Sequence, residues 1–301
     1  MGCQGAPCAR NALHAAGYNH PAPSRRRAVP VNAPLPVVVV DAFTDRPFAG
    51  NPAAVCVLPG PADPEWMQLV AREMSLSETA FVHRDAAAGP DDWRLRWFTP
   101  TVEETLCGHA TLASAHVIWE EARAAAPDRP LRFHSKSGLL VASRAEGGGI
   151  EMDFPATPVE AAAPPAGLLE GLAVPEPRFA GRSRFDWLVE VASEADVRAL
   201  CPDMRRLAAV GGRGVIVTAA PGPPGHDFVS RFFAPNDGVD EDPVTGSAHC
   251  ALACHWAPRL GRTSFVAFQA SARGGVVRVR LEGDRAILGG AAVTVLRGVL
   301  A

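Results

Sequence analysis

The chain has 301 residues, enough for two domains or one large one. Apolar residues make up 48% and charged residues 20%, which excludes a disordered chain and fits a folded, soluble protein. A net charge of −3 offers no basic field for nucleic acid, and no apolar run reaches the roughly 18 residues of a membrane span.

The first 35 residues hold no acid, four arginines, several prolines and one serine, Ser24. A transit peptide is Arg-rich and acid-poor but also Ser-rich, and a signal peptide needs an apolar stretch that is missing here. The segment reads as a disordered extension, or as a start codon placed too far upstream, and stands outside the expected fold. "PLPVVVVDAF" then opens the folded part with a β-branched run, a buried strand. "FTDRPFAGNPAAVCVL" is a punctuated loop leading into a second strand. "ADPEWMQLVAREM" carries helix-start chemistry, with Asp63 as N-cap and Pro64 first in the helix. Trp66, Leu69, Val70 and Met74 form its apolar face. "TAFVHR" and "WRLRWFTP" read as strands. Glu78 stands alone at the joint between that helix and the next strand, either as a solvated turn acid or as a base at a core edge.

Two later segments resemble each other. "FTPTVEETLCGHATLASAHVIWE" and "FFAPNDGVDEDPVTGSAHCALACHWA" each run Phe-x-Pro, acidic loop, Gly, small-residue helix, Trp. The matched glycines, Gly108 and Gly246, lie nearly half the folded length apart, which reads as a duplicated lobe. Helices 108–119 and 246–256 are apolar nearly all round and so should be buried. Their N-termini leave backbone N–H groups free, which with the macrodipole make anion sites. If the lobes face each other, the two N-termini flank one cleft and suit a carboxylate ligand. His109 sits at the start of the first helix, where the positive end favours a neutral, proton-exchanging imidazole. Asp242 precedes the second helix and reads equally as an ordinary cap. Between these segments a hairpin-like pair surrounds Gly147 to Gly149, and "FDWLVEVAS", "RGVIVTAA" and "HDFVSRFF" are strands. Alternating strands with Gly-Asp and Gly-Gly turns close the chain. The whole reads as α+β lobes.

His249, Cys250, Cys254 and His255 lie on the second small-residue helix; with no second ligand pair at zinc spacing they read as packing residues, and no metal is expected. No strand-linked G-x-G-x-x-G supports a dinucleotide. Seven cysteines in a chain this long do not make a disulfide framework, so a reducing, cytoplasmic setting is expected.

"DAFTDRPFAGNPAAVCVL", "SETAF", "FTPTVEETLCGHATLA", "DEDPVTGSAHC" and the late "RGG" resemble the phenazine-biosynthesis F-like (PhzF-like) isomerase family. The resemblance runs from about Val37 to the C-terminus. It implies the diaminopimelate-epimerase-like fold: two pseudo-symmetric lobes, each a curved β-sheet around a buried helix, with the active site between them. The corresponding divisions are 36–147, 148–285 and a final strand at 286–301 able to cross back to the first lobe. The resemblance further implies cofactor-free acid/base isomerisation of a small anionic metabolite. It makes Glu78, His109 and Asp242 catalytic, with Ser77, Cys107, Gly108, Gly246 and Ser247 around the substrate. Family members are often dimeric, which leaves a homodimer open. The superfamily's racemases use two opposed cysteines; here Cys107 holds the first position and Thr245 the second, so a thiol pair is incomplete. An amino-acid racemase or epimerase and a non-catalytic binding protein on the same fold remain the alternatives. Family members often carry Asn where Ser75 stands, with no evident bearing on the mechanism.

Overall fold

In the computed structural model, residues 34–126, 128–145, 148–222 and 225–301 are described. The expected extension therefore lies outside the described residues, apart from its last two positions. The β-branched run forms β1 (Leu35–Ala42), buried from Val37 onward. There follow β2 (Asn51–Val57), α1 (Pro64–Met74), β3 (Glu78–Arg84), β4 (Asp92–Phe98), β5 (Glu103–Glu104) and α2 (Gly108–His116). Next come β6 (Leu131–Ser135), β7 (Gly138–Arg144), β8 (Ile150–Pro155), β9 (Glu160–Ala161), α3 (Leu168–Leu172), β10 (Phe179–Arg182) and β11 (Asp186–Glu190). The rest is α4 (Glu194–Ala199), α5 (Met204–Val210), β12 (Gly214–Ala219), β13 (Phe228–Phe233), α6 (Gly246–Leu260), β14 (Ser264–Gln269), β15 (Gly275–Glu282), β16 (Arg285–Gly290) and β17 (Ala292–Leu300). The architecture is α+β, a mixed sheet with helices.

One series of strand pairings occurs twice. From β1 through β2, β3, β4, β6 and β7 to β8 the neighbours run antiparallel, parallel, antiparallel, parallel, antiparallel, antiparallel. From β10 through β11, β12, β13, β14 and β15 to β16 the same series recurs. The helices take matching places: α2 lies between β4 and β6 in the chain, and α6 between β13 and β14. β8 and β16 pair antiparallel and join the two series. The outer strands are exchanged, β17 lying on β1 and β9 on β10.

α1 begins as the sequence requires: the Asp63 carboxylate accepts from the Glu65 N–H at 2.8 Å and Pro64 takes the first helical position. Its buried face is Met67, Val70 and Ala71, whereas Leu69 is 60% exposed. The expected face is thus rotated: the helix lies on the sheet surface formed by Val39, Cys56 and Phe81. The first small-residue helix is α-helical only to His116 and continues as a π turn over Val117–Glu121. The second runs past 256 to Leu260 with Pro258 inside it. The single strand expected at 286–301 is two strands, β16 and β17, with different partners. From His109 to Ala115 every residue of α2 is buried, and α2 and α6 share one core cluster with β1, β8 and β15.

Candidate active site

Three backbone devices bring the acid and base residues together. α1 ends on Ser75 in the left-handed region (φ 51°), and the chain turns at once into β3, whose first residue, Glu78, pairs with Ala53. Cys107 is the N-cap of α2 and Thr245 that of α6, and neither side chain caps its helix, so the first-turn N–H groups are free of side-chain partners. Gly108 and Gly246 approach so closely that a Cβ on either would lie 3.4 or 3.5 Å from the other's Cα. The two helix N-termini therefore meet at one point and open on one cleft of about 80 Å³. Glu78, Cys107, His109, Asp242 and Ser247 line it together with both glycines. Ser77 does not line it; β3 alternates its faces, so the neighbour of an inward Glu78 points elsewhere.

Glu78 Oε2 lies 3.1 Å from His109 Nε2. The pair has ion-pair distance but poor hydrogen-bond alignment, and both atoms are buried with no hydrogen-bond partner among the described residues. On the far side of the ring, Nδ1 faces the Asn51 amide nitrogen at 3.1 Å and Cys107 Sγ at 3.5 Å. Burial, the largest cause, pushes the His109 pKa down; charge on both Cys107 and Glu78 raises it well above the usual imidazole value only when Cys107 is a thiolate, and near neutral pH Glu78 alone opposes burial. Burial and the Glu78 charge push the Cys107 thiol up to about 11, so near neutral pH it is an uncharged thiol.

Asp242 is not a helix cap. Its Oδ1 accepts from Asn51 Nδ2 at 2.7 Å and its Oδ2 from the Thr245 hydroxyl at 2.5 Å. Gln269, wholly buried, holds this loop by donating to the Asp242 carbonyl and accepting from the Thr245 N–H. Burial is the main cause that raises the Asp242 carboxyl to about 6; the His109 charge opposes it and Glu78 adds to it.

Residues not singled out in the sequence complete the walls. Asn51 bridges His109 and Asp242. Arg213 is clamped by two nitrogens onto Asp186, at 2.9 and 2.5 Å, with its guanidinium 5.3 and 5.5 Å from the rings of Phe185 and Phe232. Its Nη1 makes no hydrogen bond among the described residues. Glu104 stands in the same cleft, its pKa raised by burial and then by the Glu78 charge. A cation and acids thus border the space above the helix N-termini. Glu104 falls in the acidic loop of the first duplicated segment, which gave no role to that residue, and "GGRGV" carries no local signal for Arg213.

Glu78, Cys107 and His109 offer metal-ligand atoms within 4.8 Å of one another. The thiol faces Nδ1 and the carboxylate Nε2, so an ion on either ring nitrogen turns away from one of the other two. On α6 three of the four His and Cys side chains go to separate partners. His249 Nδ1 bonds the Thr245 carbonyl, Cys250 the Gly246 carbonyl, and His255 meets Glu190 at 2.9 Å. No helix among the described residues is long and apolar enough to cross a membrane.

A family model for phenazine biosynthesis-like proteins matches residues 40–298. An uncharacterized isomerase of Halalkalibacterium halodurans is 50% identical over 266 residues, covering 88% of this chain and 98% of that protein. An uncharacterized isomerase of Pseudomonas aeruginosa is 49% identical over 267 residues, with the same shares. Among solved structures, a phenazine biosynthesis protein of the PhzF family from Enterococcus faecalis superposes with a TM-score of 0.83 at 37% identity, covering 89% of this chain and all of the other.

Proposed function

The chain belongs to the phenazine biosynthesis-like family and is an isomerase, and from that premise we propose that it moves a proton within a small carboxylate-bearing metabolite by acid/base catalysis without a cofactor. The two pairing series, β1 to β8 and β10 to β16, are taken as the two lobes of a diaminopimelate-epimerase-like fold, so that the boundaries at 147 and 285 move past β8 and β16, with the cleft between the lobes as active site. Glu78 takes a proton from one carbon, the π electrons shift, and the same carboxyl group returns the proton to another carbon, so composition is unchanged. His109 supports the Glu78 carboxylate, and Asp242 exchanges a proton with a heteroatom of the substrate. The free N–H groups of α2 and α6 hold the substrate carboxylate, and Gly108 and Gly246 leave room for it.

The observation that carries this reading is the Glu78–His109 contact: two buried atoms 3.1 Å apart, each without a hydrogen-bond partner among the described residues, at the junction of two helix N-termini. Burying such groups unpaired costs about 1 to 3 kcal/mol each, which a bound substrate would offset. A two-thiol racemase is disfavoured because Thr245 stands where a second cysteine is needed and Cys107 is held as a thiol. A binding protein would not need the ionisable pair.

The test is hydrogen exchange in deuterium oxide, read by mass spectrometry over a panel of cyclic and amino-acid carboxylates. Wild type is expected to label one compound class, and Glu78→Gln to bind the same compound without labelling it. Labelling that persists in Glu78→Gln would remove Glu78 from its role.

A further inference from the structure

Asn51 is wholly buried at the start of β2. Its amide nitrogen faces three groups: Asp242 Oδ1 at 2.7 Å, the Val244 carbonyl at 2.9 Å and His109 Nδ1 at 3.1 Å. Its amide oxygen, equally buried, has no partner among the described residues. A carboxylate and a peptide carbonyl only accept, so the amide can lie only one way round, with nitrogen toward them. His109 Nδ1 then faces a donor. A proton on Nδ1 would set donor against donor, whereas a bare Nδ1 accepts from the amide or from the Cys107 S–H at 3.5 Å. The ring proton belongs on Nε2, the nitrogen that faces Glu78.

The loop that carries Asn51 is held from several sides. Phe43 and Phe48 adopt φ of 61° and 67°, a conformation that bulky residues reach only when the surroundings impose it. The Asp41 carboxylate accepts from the Phe48 N–H at 2.7 Å, and Arg273 donates to Asp41, to the Ala49 carbonyl and to the Gly50 carbonyl at 2.7 to 2.9 Å. Gly50 N–H bonds the Gly274 carbonyl at 2.7 Å. The amide cannot turn away without breaking this frame.

We propose that Asn51 is a positioning residue that fixes the Nε2–H tautomer of His109 and ties that ring to Asp242. The proposal rests on the reading of His109 and Asp242 as proton-handling groups. It explains why a buried amide leaves its oxygen unpaired: the nitrogen is needed where three acceptors converge. The groups that face His109 are Glu78 from β3, Cys107 from the start of α2, and Asn51. Glu78 draws a proton onto Nε2, while the Asn51 amide and the Cys107 thiol both present donors to Nδ1.

The measurement is long-range proton–nitrogen NMR on the full chain labelled with nitrogen-15 histidine, with His109 assigned by the signals lost in His109→Gln. Near neutral pH the wild type is expected to show Nδ1 at an unprotonated shift and Nε2 at a protonated one. Asn51→Asp, of the same shape, sets an acceptor against Nδ1, and both nitrogens should then be protonated in the same pH range. Asn51→Ala should average the two tautomers, and it carries the test if Asn51→Asp does not fold. A wild-type Nδ1 that is protonated, or a tautomer unchanged in a folded Asn51 variant, overturns the proposal. These signals are read without substrate, so a failure of the proposed isomerisation would leave this result standing, and the converse also holds.

Discussion

Asp242 shows what a carboxyl buried at the cleft costs in stability. In the unfolded chain its carboxyl titrates near the ordinary 3.8, and in the fold burial lifts it to about 6. Between those values the native state holds the extra proton, so stability falls as pH rises from about 4 to about 6, and the full cost is present above 6. Two units correspond to about 3 kcal/mol, and solvent at the cleft edge trims this to about 2. Asp242→Asn removes the charge and keeps both hydrogen bonds, because its oxygen can face the Asn51 amide and its NH2 the Thr245 oxygen. This variant is expected to melt several degrees higher than wild type at pH 7, to match it near pH 4, and to lose most proton exchange. Thermal melts at the two pH values decide it; a variant less stable at pH 7 would show that the Asp242 charge is stabilising. The same carboxyl should place a limb near pH 6 in the wild-type pH–rate profile.

At the scale of elements, glycines distinguish packing from conformation. Gly50 has φ +64°, and a Cβ there would lie 2.2 Å from the Ala42 carbonyl oxygen. Gly108 has an ordinary φ and its nearest neighbour, the Gly246 Cα, at contact distance. Gly50→Ala is therefore expected to cost more than about 2 kcal/mol and to displace Asn51. Gly108→Ala should cost less than about 1 kcal/mol while weakening ligand binding, since its methyl group intrudes between the two helix N-termini. Comparing denaturant midpoints with ligand affinity for the two variants separates the roles; equal losses of stability would refute the distinction. Much at this scale is legible in the chain. Asp63-Pro64 marks the start of α1, the two Gly-led small-residue stretches mark α2 and α6, and Glu78 falls on the first residue of β3. What is not legible depends on distant partners. Leu69 lies outward because the sheet, not the helix's own pattern, chooses the buried face. Asn51 reads as loop punctuation because its partners are 58 and 191 positions away.

Over the whole molecule, one of the polar ties between the two pairing series lies beneath the site and joins Arg273 to Asp41. Asp41 lies in β1 and is 1% exposed; Arg273 lies between β14 and β15 and is about one-third exposed. Burial raises the Asp41 carboxyl, while the Phe48 N–H and the Arg273 charge pull it back. Removing Arg273 leaves a buried acid without its cation, a loss of about 3 to 5 kcal/mol for a fully buried pair and about 2 to 3 for one partly open to water. Arg273 also holds the Ala49 and Gly50 carbonyls, so its loss should loosen the loop that sets Asn51. Arg273→Ala is thus expected to lower the melting temperature by roughly 5 to 10 °C and to cut proton exchange beyond what the unfolded fraction explains. Asp41→Asn in that background should recover part of the stability, because the buried group no longer needs a countercharge, but not the exchange, because the loop carbonyls stay free. A four-way cycle of wild type, both single variants and the double variant measures the coupling. A coupling below about 0.5 kcal/mol would mean that the two residues act independently.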